Sequence, residues 1–451
     1  MKKVCLLTVL FLCLLSLSMT SCKNANHEHT FGEWEQISES SCTKQGEAIR
    51  RCTVEDCDYT ETKSIDLKNH NYEDSITSPT KEKDGYTTHT CKNCSYSFVD
   101  TYTPAIGSAN LKCDYIVTDE SVTCIITGIG DCKDTDIYIP SYIGKYPVVA
   151  IAEDAFERCT SIKRVVIPEG IVEIGRSAFS ECTNLETITF SNTIQKVEDN
   201  AFYWCTKLKN VYISDLTAWC KIDFASVNAN PMRYAENLVL NGKPLSSLTI
   251  PDGVTEIGDY AFTYCTNFSE IIIPYGVTHI GFGTFSNCSI ASITIPDSVT
   301  IIDAVAFSDS GITSITIPDS VQKIEMGAFS GCINLTSVKL PSNLTDIEID
   351  LFAECWNLTN VEIPQTVTRI GAGAFENCSR LVNITIPKSV KTIGAIAFSD
   401  CSRLESIVFE NTDNWKSYLT STNGNPIDVT DPAENAAYFT KAGSSTYWER
   451  N

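Results

Sequence analysis

The chain has 451 residues, with 34 Lys and Arg against 56 Asp and Glu and a formal charge of −22. That excess of acid excludes a nucleic-acid binder, which needs a basic face to displace the counterions of a phosphate backbone. Nucleotide-binding glycine loops, HExxH and GxSxG are absent from the sequence, and it holds only five histidines, which argues against an enzyme.

Lys2 and Lys3 precede an apolar run from Val4 to Leu17, and small polar residues follow at once, the layout of a secretory signal peptide. The run is shorter than the ~20 residues that span a bilayer comfortably. It ends Met19-Thr20-Ser21-Cys22, which resembles a bacterial lipobox. The resemblance implies a lipoprotein signal peptide over residues 1–21, acylation of Cys22, and a chain held on a membrane in the extracytoplasmic space, at the cell surface. Met19 departs from the more usual Leu, and ordinary cleavage is the alternative. Two or three acyl chains, at ~0.8 kcal/mol per buried CH₂, would make a stable anchor.

Residues 22–104 are polar and turn-rich and contain two similar modules. TKQGEAIRRCTVEDCDY and TKEKDGYTTHTCKNCSY share Thr-Lys, a glycine and a closing pair of cysteines. The first module sets out Cys42, Cys52, Cys57 and, after twelve more residues, His70. The second keeps Cys91 and Cys94 but has Thr80 at the expected place of its first Cys. This spacing resembles a zinc-ribbon-like module repeated in other bacterial surface proteins, and the resemblance implies a structural Zn²⁺ on Cys42, Cys52, Cys57 and His70. For Cys91 and Cys94 a disulfide is the competing chemistry in an oxidising compartment. His27, His29 and His89 read as surface histidines.

From residue 151 the sequence repeats. Proline recurs at Pro168, Pro251, Pro274, Pro296, Pro318, Pro341, Pro364 and Pro387, spaced by 22 or 23 residues outside one insertion. Phenylalanine keeps the same beat from Phe156 to Phe398, and a cysteine follows three places later in nine units, with Ser310 filling the slot once. The unit reads A-F-x-x-C-x-x-L-x-x-I-x-I-P-x-x-V-x-x-I-G. Its L-x-x-I-x-I part alternates with period two, so it is a strand with Leu and both Ile on one face. One such unit cannot cover its own apolar face, whereas stacking parallel strands merges the Phe, Ile, Leu and Cys columns into one core.

This pattern resembles the BspA-type bacterial leucine-rich repeat. The resemblance implies a repeat solenoid of leucine-rich-repeat type over residues 151–410, with parallel β-strands on a concave face and about eleven coils of 22–23 residues. It also implies a surface protein that binds extracellular or cell-surface proteins, in adhesion to host or neighbouring-cell macromolecules.

Open solenoids need capped ends. Residues 105–150, with β-rich runs at Tyr115–Val117 and Val122–Thr127, suit an N-terminal cap. In residues 411–451 Asp431 reads as a helix N-cap with Pro432 at the first helical position, above Trp415 and Trp448. The insertion, residues 215–247, reads as an irregular coil or as a specialised flank. The column cysteines read as buried small hydrophobes rather than disulfides, since nine is an odd number and Ser310 needs no bonding partner. Two surfaces are candidates for binding. One is the hydroxyl-rich strip that includes Thr187, Thr189, Ser292, Thr294, Ser314 and Thr316. The other is an aromatic concentration at Tyr203, Trp204, Tyr212, Trp219 and Tyr264, which would anchor a protein partner or stack on sugars, so that a glycan-binding module is the alternative function.

Overall fold

The structure is a computed structural model describing residues 28–268, 270–418, 425–441 and 447–450. The signal peptide, the lipid attachment at Cys22 and His27 lie outside the described residues. The chain divides into two compact units, residues 1–104 and 105–451. Among the described residues no helix is long and apolar enough to cross a membrane.

The first unit holds two three-stranded antiparallel sheets. One is built from β1 (Glu35–Ser38), β2 (Gly46–Arg51) and β3 (Thr60–Ile65), the other from β4 (Tyr72–Thr77), β5 (Gly85–Cys91) and β6 (Ser97–Thr103). The glycine shared by the two sequence modules opens the middle strand of each sheet. A Cβ at Gly46 would lie 2.6 Å from the Ser40 backbone nitrogen, and one at Gly85 would lie 2.6 Å from that of Pro79. The chain therefore crosses itself too closely for any side chain at that point.

The second unit is a parallel β-solenoid of about twelve turns, with a repeat of about 23 residues. Each regular coil contributes two short strands to two separate ladders. The first ladder uses the L-x-x-I-x-I segment and stacks, for example, Arg164 on Thr187 and Thr187 on Asn210. The second uses the Ile of the I-G pair and the residue before it, and stacks Ile257 on Ile280 and Ile280 on Ile302. The corner between them is a proline turn in which the Val N–H donates to the Pro carbonyl three residues back, as from Val321 to Pro318 at 3.0 Å. Proline fits there because its own ring nitrogen has no hydrogen to place in the ladder.

The third corner is the A-F turn. Phe307 N–H donates to the Ala328 carbonyl of the next coil, and Phe375 N–H to that of Ala397, both at 2.8 Å. The phenylalanines are fully buried, and neighbouring rings stack at 5.1–5.9 Å, except where the insertion separates Phe202 from Phe262. Each turn closes through residues in left-handed backbone, one before the Ala-Phe pair and one just before the cysteine. Asp154 (φ 57°) and Arg158 (φ 57°) show it in one coil, Asp350 (φ 54°) and Glu354 (φ 61°) in another.

The insertion stays within the stack. Asp223–Phe224 pairs with Lys196–Val197 in the second ladder, and Asn237–Leu240 pairs with Asn210–Ile213 in the first. A short helix, α1 (Leu216–Trp219), and a 3-10 turn at Pro231–Arg233 take up the additional length. Where a regular A-F turn would meet the next coil, side chains take over its hydrogen bonds. The fully buried Asn230 donates Nδ2 to the Tyr260 carbonyl at 2.8 Å, and Trp219 donates Nε1 to the Ala261 carbonyl at 2.8 Å.

Both ends of the stack are covered. Lys112–Val117 folds back antiparallel on Val122–Gly128, which in turn lies parallel to Tyr146–Ile151 at the start of the second ladder. At the far end Asp431 Oδ1 accepts from the N–H groups of Ala433 and Glu434 and so caps the helix α2 (Pro432–Lys441). Phe439 from α2 packs edge-on against Phe398, the last member of the column, at 5.5 Å. Tyr447–Arg450 pairs antiparallel with Thr392–Ile393, which ends the second ladder, and its Trp448 packs on Phe439.

Candidate functional site

Cysteine spacing along the chain implied one ligand set, Cys42, Cys52, Cys57 and His70. The structure splits these residues between two clusters and completes each with residues outside that set. Cys42 and His70 meet Cys91 and Cys94, and Cys52 and Cys57 meet His29. Within each cluster the ligand atoms lie within 4.8 Å of one another. Cys42 Sγ is 3.8 Å from Cys91 Sγ, and Cys94 Sγ is 3.5 Å from His70 Nδ1. In the other cluster Cys57 Sγ is 3.4 Å from His29 Nδ1. His29 is therefore not an isolated surface histidine. His89 is kept out of both clusters by Asp74 and Asp100, which face its two ring nitrogens at 2.6 and 2.7 Å. Among the described residues no disulfide joins any cysteines, Cys91 and Cys94 included.

The two modules repeat in space. His29 stacks on Tyr59 at 4.3 Å, as His70 does on Tyr96 at 4.9 Å. Cys52 N–H donates to the Tyr59 carbonyl and Cys91 N–H to the Tyr96 carbonyl, both at 2.9 Å. Ser41 N–H bonds the Lys44 carbonyl as Thr80 N–H bonds that of Lys83. That last pair shifts the alignment read from sequence by one position: Thr80 corresponds to Ser41, and Lys81 occupies the place of Cys42. Each module thus carries its own His and paired Cys, and only the first carries the additional Cys42, which it offers to the second module.

The four-residue cluster is electrostatically uneven. Burial pushes the Cys91 thiol up, but hydrogen bonds with the His70 ring, the backbone N–H groups of Asn93 and Asn71, and Cys94 outweigh it and bring Cys91 down to about 6. Cys42 moves the other way, to about 11, through its hydrogen bond to Cys94 and through burial.

The five aromatic residues of the proposed patch do not form one surface. Tyr203 and Trp204 are exposed and lie together, with ring centroids 6.0 Å apart. Tyr264, on the far side of the insertion, lies under the Arg233 guanidinium at 5.4 Å. Tyr212 belongs to a first-ladder strand, where it stacks between Thr189 and Val239. Trp219 is core: it is 1% exposed, hydrogen bonded to Ala261 and packed on Phe190 and Phe224. Sequence reasoning overlooked Trp356, half exposed with its Nε1 donating to Glu354, and Tyr275, 81% exposed beside a proline turn. Both stand at variable positions of the repeat, and that was the available signal.

The first ladder presents the polar strip. Ser292, Thr294, Ser314, Thr316, Ser337 and Lys339 are exposed and line one shallow groove, while Ile293, Ile315 and Val338 between them point into the core. A neighbouring row is structural. The hydroxyls of Thr313, Thr336 and Thr359 each donate to the backbone carbonyl of the residue one coil back, at 3.1, 2.9 and 3.1 Å. Those threonines stitch the strand edge, while Ser314, Thr316, Ser337 and Lys339 face solvent.

The sequence profile of the BspA type leucine rich repeat region matches in six copies, over residues 131–239, 233–311 and 300–422. Among solved structures, the chain resembles a leucine rich cell surface protein from Faecalibacterium prausnitzii, at 25% identity and TM-score 0.40, over 70% of this chain and 96% of that one. It also resembles a leucine-rich repeat protein from Bacteroides ovatus, at 24% identity and TM-score 0.38, over 66% of this chain and 86% of that one. No curated protein matches the chain.

Proposed function

From the premise that the chain belongs to the BspA-type leucine-rich repeat family, we propose that it is a surface-displayed binding protein that holds another macromolecule, a protein, on the outward row of its first ladder. The observation that carries this reading is the division of labour along the ladder. One row of hydroxyls is used between coils, and the adjoining row, with Ser314, Thr316, Ser337 and Lys339, is left facing solvent on a rigid parallel frame. Parallel strands spaced about 4.8 Å apart offer a partner an evenly ruled polar surface whose side chains lose little freedom on binding. In this reading the lysine-flanked apolar segment ending at Cys22 delivers the chain to the extracytoplasmic side and fixes it there through lipid, and its role is adhesion to host or neighbouring-cell surfaces.

The test is direct binding of the purified chain to a panel of extracellular-matrix proteins and polysaccharides, with a Trp204→Ala/Tyr264→Ala version beside it. Saturable binding to a protein that survives the double substitution supports the reading. Binding confined to polysaccharides and lost in the double variant overturns it in favour of a carbohydrate module working through exposed aromatic rings.

A further inference from the structure

We propose that Cys42, His70, Cys91 and Cys94 form a structural zinc site that clasps the first N-terminal module to the second.

The distances carry the argument. Zinc in a tetrahedral site takes Zn–S bonds of about 2.3 Å and Zn–N bonds of about 2.0–2.1 Å, so two sulfur ligands stand about 3.8 Å apart and a sulfur and a nitrogen about 3.5 Å apart. The cluster shows 3.8 Å between the Sγ atoms of Cys42 and Cys91, and 3.5 Å between Cys94 Sγ and His70 Nδ1. Three Cys and one His with ligand atoms all within 4.8 Å of one another match a closed structural site and leave no position for substrate. A small three-stranded sheet with most of its surface wet has little core of its own, and metal ligation is a common means of stabilising folds of that size.

The pattern of ligands along the chain fits a clasp. His70, Cys91 and Cys94 belong to one module and repeat the geometry of His29, Cys52 and Cys57 in the other. The fourth ligand, Cys42, comes from the preceding module, on the turn between β1 and β2. Its counterpart in the second module is Lys81, and the segment after that module is the start of the solenoid unit at Ala105 rather than a third module. A cysteine at position 81 would have no following His and Cys pair to complete. The ring of Tyr96 lies on His70 and fixes the imidazole plane, so that Nδ1 faces the sulfurs.

The experiment is a titration of the full chain, reduced and stripped of metal by a chelator, with Co²⁺ and then Zn²⁺. The proposal expects one tight equivalent of cobalt with tetrahedral visible bands and thiolate charge-transfer absorption, displaced by Zn²⁺. Cys42→Ser and Cys91→Ser should both lose this equivalent. Cys52→Ser should keep it and remove only any weaker equivalent at His29, Cys52 and Cys57. Zinc should also slow backbone hydrogen exchange around Cys42 and Cys91 together. A tight equivalent lost in Cys52→Ser, a spectrum without tetrahedral bands, or a Cys42–Cys91 disulfide in peptides from protein isolated without reductant would each overturn the proposal. If the variants fail to fold, metal-dependent hydrogen-exchange protection at Cys42 and Cys91 in the parent chain still decides, and its absence there overturns the proposal.

Discussion

The Sγ of Cys355 lies 3.2 Å from the carbonyl oxygen of Phe329, one coil back. The same contact recurs along the column, from Cys182 to Phe156, Cys205 to Phe179, Cys288 to Phe262, Cys332 to Phe307, Cys378 to Phe352 and Cys401 to Phe375, at 3.0–3.2 Å. The column cysteines are therefore small apolar residues whose one weak donor is satisfied by the neighbouring coil. Burial pushes the thiols of Cys205, Cys288 and Cys401 up to about 12, so they stay protonated and able to donate.

This geometry makes substitution at the column graded. The Phe329 carbonyl also accepts from the Cys332 backbone N–H, so removing the thiol does not orphan it. Cys355→Ala should cost about 1–2 kcal/mol, from lost packing and a weak hydrogen bond. Cys355→Ser should cost less, since the hydroxyl keeps a donor, as Ser310 does against Cys332 Sγ at 3.3 Å. Chemical denaturation of the two variants checks this, and a larger loss for Ser than for Ala would contradict it.

The phenylalanine column is the most densely shared part of the core. Phe329 is fully buried between Phe307 at 5.4 Å and Phe352 at 5.8 Å. Phe329→Ala should destabilise the solenoid by about 3–5 kcal/mol. An unchanged melting temperature would show that the ring is not core.

Two β-branched residues occupy left-handed turn positions of the solenoid, Val305 (φ 51°) and Ile396 (φ 53°), where most other coils place Asp, Asn or Gly and two place Ser177 and Tyr260. That conformation costs an L-residue with a branched Cβ roughly 1–2 kcal/mol. Val305→Asn and Ile396→Asn should each raise stability by about 1 kcal/mol, because Asn tolerates the region and can bond locally. A loss of stability in both variants would mean that the branched side chains contribute more by packing than the backbone strain costs.

Burial raises the Asp350 carboxyl above the ordinary aspartate range. For an acid raised in the folded state, the folded chain binds the proton more tightly. The associated stability is present below the unfolded pKa of about 3.9 and is lost as pH rises through the folded value. Asp350→Asn does not titrate and also suits φ 54°. Its stability relative to the parent should therefore climb from about pH 3.5 through the folded pKa and then level off. A relative stability that falls over that range would contradict the sign.

The solenoid was legible in the sequence because each coil writes the same chemistry at the same interval. Phe, Cys, Leu, Ile and Pro could be assigned to columns without knowing any contact, and Asp431-Pro432 announced the capping helix. The Cys42 site was hidden for a physical reason. Spacing measures separation along the chain, whereas ligand sets depend on which turns the sheets bring together, and the chain carries Cys42 across to the second module. Trp219 was misplaced for a related reason: an indole in an insertion looks the same in sequence whether it faces solvent or fills the gap in a core column. The thiol-to-carbonyl contacts were equally invisible, because a buried Cys reads as a hydrophobe until the coil below it is in place.

If a partner protein docks on the outward row of the first ladder, charge placed on that row should disrupt it. Ser314 and Ser337 are exposed neighbours in adjacent coils, paired in register at the start of their strands. Ser314→Arg/Ser337→Arg should leave the melting temperature within about 2 °C of the parent, since exposed substitutions usually shift stability by less than 0.5 kcal/mol. Measured by surface plasmon resonance against the protein bound by the parent chain, this variant is predicted to weaken binding at least tenfold, while Trp204→Ala/Tyr264→Ala stays close to parental affinity. Undiminished binding by the arginine variant together with loss in the aromatic variant would rule out that row and move the binding surface to the turn that carries Tyr203 and Trp204.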